Sequence, residues 1–222
     1  DDIKTIRDHT HKSAHGGARF YLADTFPAEY RDRLFMCNIH QHEVLTDVMT
    51  RSGSGYIGSH GDDFMPINDL AWVGFSVEIG PEGGVYILDW HDTDICGNAI
   101  NFPNSGRIYR ILPENAPKIA QPNLRELSDL ELVEMQMHSN DWYVRHARTI
   151  LQERAASGDL DKYSVHQKIV EQFLNAPNSG KRLRMIWVAW VTDYFGGSEG
   201  VNRFNYLLDH EDEYCRAWAI QL

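Results

Sequence analysis

The densest run of ligand-type side chains in this 222-residue chain is Asp89-Trp-His-Asp-Thr-Asp94-Ile-Cys96. Carboxylates two or three residues apart in a loop suit a hard cation such as calcium, with Asp92 and Asp94 as the candidate ligands. His91 and Cys96 would suit a softer metal. The first half also carries His9, His11, His15, His40, His42 and His60. An imidazole titrates near neutrality and serves as general base or metal ligand, so His15 and His91 are the candidate bases. Arg107 and Arg110 flank Tyr109, and a guanidinium fork suits a planar carboxylate. Strand alternation sends the two arginines to opposite faces, and Arg107 is the candidate anion clamp. Each group also has a structural reading. Asp89 ends a strand, Asp92 and Asp94 bond turn amides, the histidines hydrogen-bond within loops, and the arginines pair within the sheet.

The elements that must position these groups are strands. Gly80-Pro-Glu-Gly-Gly84 reads as a turn, Val85 to Trp90 as a β-branched and aromatic strand, and Arg107 to Leu112 as its partner. Arg33-Leu-Phe-Met-Cys-Asn38, followed by His42-Glu-Val-Leu45, repeats Gly84-Val-Tyr-Ile-Leu-Asp89 followed by Arg107-Ile-Tyr-Arg110. Leu34 matches Val85, 51 residues on. A spacing of about 40–50 residues between four-stranded units is that of β-propeller blades. Residues 1–112 therefore read as about two blades, too few to close a ring. The chain is expected to be a piece of a longer protein, in contact with the remainder of its own propeller.

Past the Pro113-to-Pro122 linker (residues 113–123) the apolar period becomes helical, and residues 124–222 read as stacked helix pairs. Ser128-x-x-Glu131 is a capping box, with Leu127 and Leu132 at the staple positions. Val144, Ala147 and Leu151 share one face, as do Val165, Ile169 and Phe173. Trp187, Trp190 and Trp218 read as core. Asp141-x-x-x-Arg145 recurs as Asp212-x-x-x-Arg216, 71 residues on, or two units of about 35.

The net charge of −11 argues against nucleic acid and anionic lipid as partners, since both require a basic face. No run is long enough to span a membrane. Three distant cysteines, Cys37, Cys96 and Cys215, imply no disulfide framework. Cys37-Asn-Ile-His40 lacks the second thiol of a haem-attachment motif and reads as a buried strand cysteine beside a turn histidine.

In combination, the blade segment, the approach Phe26-Pro-Ala-Glu-Tyr-Arg31, the His11-to-Gly17 segment and the helical Asp-x-x-x-Arg units resemble one family. It is that of the exported propeller proteins of planctomycetes and verrucomicrobia, related to sorbosone and glucose dehydrogenases and described as membrane-bound dehydrogenases or haem-binding proteins. At His11 to Gly17 the chain has Ala14-His15 where the family has Ala-Pro. The resemblance implies an all-β then all-α chain, part of a six-bladed propeller followed by a HEAT-like α-solenoid, in the periplasm or outside the cell. It implies oxidation of a sugar or alcohol, with calcium and pyrroloquinoline quinone as candidate cofactors, Arg107 on the quinone carboxylates, and haem c carried outside this chain. The alternative is a non-catalytic scaffold, or a glycan- or protein-binding propeller-solenoid module.

Overall fold

The computed structural model describes residues 14–95, 99–116, 118 and 120–222. The chain is β then α, and it divides into two compact units, Asp1–Ala120 and Gln121–Leu222.

In the first unit, β1 (His15–Phe20), β2 (Leu34–Asn38), β3 (Glu43–Ser52) and β4 (Gly55–His60) form an antiparallel sheet in sequence order. A short β5 (Met65–Pro66) pairs with β3 beyond the end of β4. The second sheet is β6 (Gly74–Ile79), β7 (Val85–Asp89) and β8 (Arg107–Ile111). The sheets share one core. Phe35, Cys37 and Val44 lie on the inner face of the first, and Val77, Val85 and Ile87 on the inner face of the second, around the fully buried Trp72 and Tyr21. Burial pushes the Cys37 thiol up to about 12, so it packs as a small apolar group.

Two contacts explain how the sheets close on each other. Gly17 has a φ of 60°, and a Cβ there would stand 2.8 Å from Ser76 Cα. Only glycine lets β1 cross the β6 backbone at that distance. Tyr21 places its hydroxyl between the sheets, donating to Gly83 O (2.9 Å) and accepting from Thr25 N (3.1 Å) and Phe26 N (2.9 Å). One phenol thus satisfies three backbone groups that would otherwise be stranded. The Gly80–Gly84 turn that meets it has Gly83 at a φ of 78°.

The internal repeat read from the sequence has a structural counterpart. β2 and β7 are both five residues long and 51 residues apart, and each is the second strand of its sheet. Each partner strand before them carries one register shift, at Gly16/Ala18 in β1 and at Gly74/Ser76 in β6. In cross-strand register Asn38 faces Glu43, and Asp89 faces Arg107. Both pairs are hydrogen-bonded, at 3.0 Å each. Glu43, rather than His42, is therefore the counterpart of Arg107.

The second unit holds α1 (Asp129–Glu134), α2 (Asp141–Ser157), α3 (Lys162–Leu174), α4 (Ser179–Val191), α5 (Gly200–Leu208) and α6 (Glu213–Gln221). The Ser128/Glu131 capping box forms, and α2 stops at Gly158, where φ is 85°. Helices α2, α4 and α6 pack side by side, and α1 packs on α3. Basic residues of α4 tie the row together: Arg184 pairs with Asp141 (3.0 Å) and Arg182 with Asp212 (2.7 Å).

The helical repeat is 72 residues rather than 71. Asn140 and Asp212 are the N-caps, accepting from Trp142 N and Tyr214 N, and His138 Nδ1 and His210 Nδ1 accept from the two cap amides. Arg145 and Arg216 are consequently one position out of step. Arg145 pairs with Asp141 inside its own helix, and Arg216 donates to the carbonyls of His210 (2.7 Å) and Glu211 (2.8 Å). Trp187 and Trp218 pack edge to face at 5.0 Å on the margin of the core, whereas Trp190 is 45% exposed and is not a core residue. Among the described residues, no helix is long and apolar enough to cross a membrane.

Candidate functional site

Chemistry-bearing side chains gather where β7 ends. Asp89 is buried there and accepts from Val73 N and His91 N, each at 2.8 Å, through one oxygen. Its other oxygen takes Arg107 Nε at 3.0 Å. Arg107 Nη2 continues to Asp69 Oδ2 at 2.7 Å, and Asp69 is in turn held by Ala71 N at 3.0 Å. The guanidinium hydrogen bond holds the Asp69 carboxyl below its ordinary range. Arg107 is therefore a cation shared between two carboxylates, with its charge already balanced.

His91 joins the same network. Its Nε2 lies 3.5 Å from Asp69 Oδ2, and its ring tilts against Phe102 at 5.8 Å. Its Nδ1 is buried and has no hydrogen-bond partner among the described residues. The backbone at His91 has a φ of 54°, a left-handed conformation that side-chain-bearing residues adopt at a cost. One ring nitrogen faces a carboxylate and the other is buried.

Asp92 ties together Asp94, Asn101 and Phe102 of the segment between β7 and β8, whereas β2 and β3 are joined by a short turn. Oδ1 accepts from Asp94 N (2.9 Å) and Asn101 Nδ2 (3.1 Å), and Oδ2 from Asn101 N (2.9 Å) and Phe102 N (3.2 Å). Four donors fill the roughly four lone-pair sites of a carboxylate. The backbone amide of Asp94, foremost among these, holds the Asp92 carboxyl below its ordinary range. Asp94 Oδ2 accepts from Ala99 N at 2.8 Å. This donor set does not fit calcium, because N–H groups aim where a cation would sit. Among the described residues, no three His, Cys, Asp or Glu side chains are arranged to hold a metal ion.

His15 opens β1 opposite Asn38 and is exposed. The next residue, Gly16, lies against Gly74, whose own partner in the second sheet is Asp89. The start of β1 and the end of β7 thus share one end of the unit. Of the other sequence candidates, His9, His11, Cys96 and Gly97 lie outside the described residues. Arg110 points to the opposite face and sits 3.9 Å from Glu82. Asp69 is a site residue that sequence patterns do not reveal. It reaches the site from a loop preceding β6, and no motif or spacing links it to Arg107.

The family model described as "Domain of unknown function (DUF7133)" matches residues 2–115, about half of the chain. Neither the curated proteins nor the solved structures gave a match.

Proposed function

We propose, for a chain that belongs to this family of unknown function (DUF7133), that it is a non-catalytic binding scaffold. In this reading residues 1–112 are about two blades of an exported β-propeller, and residues 124–222 form a HEAT-like stack. The observation that carries it is the state of the candidate groups: the oxygens of Asp89 and Asp92 are filled by amide and guanidinium donors, and Arg107 is paired with the two carboxylates of Asp89 and Asp69. The matched clasps Asn38–Glu43 and Asp89–Arg107, at equivalent places in two similar sheets, support blades and give Arg107 a structural role. The outer face of the second sheet presents Phe75 (46% exposed), Leu88 (40%) and Ile108 (71%). Such a face suits the rest of the ring, which is the partner this reading requires.

A dehydrogenase-like activity on a sugar or alcohol is the second reading. The left-handed backbone of His91 and its approach to Asp69 favour it, since strained residues cluster at functional sites. Thermal unfolding of the protein with calcium and pyrroloquinoline quinone separates the two. A ligand at one hundred times its dissociation constant stabilises by about 2.7 kcal/mol. In a protein of this size that raises the midpoint by roughly 5–10 °C. The scaffold reading predicts no rise, and a rise of that size would establish the cofactor site.

A further inference from the structure

The helical unit contains an apolar cavity that the functional reading leaves unused. It has a volume of about 410 Å³ and lies among α3, α4 and α5, walled by Ile169, Phe173, Met185, Ile186, Ala189 and Leu207. A volume of this order is within the range of small-molecule sites, about 300–1,000 Å³. Helix α5 packs on α6, and Phe173 of α3 reaches Tyr206 of α5 at 6.4 Å and His210, beyond its end, at 5.4 Å.

At its edge stands Arg203, which also borders an adjoining cavity of about 380 Å³ that includes His166 and Gln167. The guanidinium is anchored without being neutralised. It lies 4.2 Å from the centre of the Tyr194 ring and donates to Tyr194 O. Most arginines of this unit have a carboxylate partner: Arg125 has Glu153, Arg154 has Asp129, Arg182 has Asp212, and Arg145 and Arg184 share Asp141. Among the described residues, no carboxylate is within ion-pair distance of Arg203. Arg148, over the Trp187 ring, and Arg216, on two backbone carbonyls, likewise have no carboxylate partner among the described residues, but of these three only Arg203 lines the apolar cavity.

We propose that this cavity binds a small amphipathic carboxylate, its apolar body among Phe173, Met185 and Leu207 and its head on the open donors of Arg203. The contrast between body and head makes the proposal testable. The apolar wall gains from any alkyl chain by burial, roughly 25 cal/mol for each Å² removed from water. The guanidinium rewards only the anion, and the acidic chain as a whole repels it, so a preference for the anion has to come from Arg203.

The probes are decanoate, below its micelle concentration, and decanol, titrated calorimetrically into the full chain. Decanoate should bind one site at least tenfold more tightly than decanol. Arg203→Gln should remove that preference and leave decanol binding unchanged. Hydrogen exchange should slow in α3, α4 and α5 on addition of decanoate and remain unchanged in the sheets. Equal affinities for the two probes, no saturable binding, or protection confined to the sheet unit would each overturn the proposal. The probe comparison and the exchange map use the unaltered protein, so both remain decisive even if Arg203→Gln folds poorly.

Discussion

Replacing Arg107 with alanine separates a structural clasp from a cofactor clamp. In the wild type the guanidinium bonds Asp89, whose side chain is fully buried, and Asp69, whose side chain is 31% exposed. The Asp69 leg is close to an ordinary surface ion pair, worth about 0–1 kcal/mol. The Asp89 leg matters more, because stripping a partner from a buried carboxylate costs about 3–5 kcal/mol when the charge is left bare. Two features reduce that figure. Asp89 keeps the amides of Val73 and His91, and the Arg107 side chain is 37% exposed, so solvent screens the charge. The expected loss is about 2 kcal/mol. Urea unfolding read through amide exchange in β7 and β8 scores the sheet unit apart from the helical one. Asp69→Ala should cost under about 1 kcal/mol in the same assay. A loss below about 0.5 kcal/mol for Arg107→Ala, or an equal loss for both variants, would refute the clasp.

Tyr21→Phe removes a hydroxyl that satisfies two amides and one carbonyl between the sheets, and should destabilise the sheet unit by about 2–4 kcal/mol; urea unfolding with a loss under about 1 kcal/mol would show that water replaces it. Burial holds His166 below the 6.5 of a free histidine, with its Nε2 3.0 Å from Thr192 O. Unfolded chains therefore take up that proton first as pH falls, and the helical unit should lose stability from about pH 6.5 downward. His166→Gln should flatten the slope, and an unchanged slope would assign it to other groups.

Features specified by neighbouring residues are legible in the sequence. The Gly80–Gly84 turn, the Ser128/Glu131 box, the Gly158 stop and the equivalence of β2 with β7 all rest on local geometry and alternation. Features created by distant approach are not. The β3–β4 hairpin runs through exposed, glycine-bearing residues with little apolar alternation, so its second strand leaves no pattern. Asp69 meets Arg107 across 38 residues, and Tyr21 meets Gly83 across 62. The helical offset reads one residue short in the sequence because Asp141 and Asp212 are the same residue type in different roles, the first inside its helix and the second its cap. Trp190 has helical spacing with Trp187 but lies at the solvent edge of α4, where periodicity marks a face and not a depth.

In the proposed scaffold the loop carboxylates hold the fold, and Asp92 offers the most direct test of that role. Amide exchange of Asp94, Asn101 and Phe102 reports the three backbone bonds to its carboxylate. With and without calcium, these amides should exchange equally slowly in the wild type, and Asp92→Ala should release all three. Fast exchange without calcium, converted to protection when calcium is added, would contradict this role and restore Asp92 as a metal ligand.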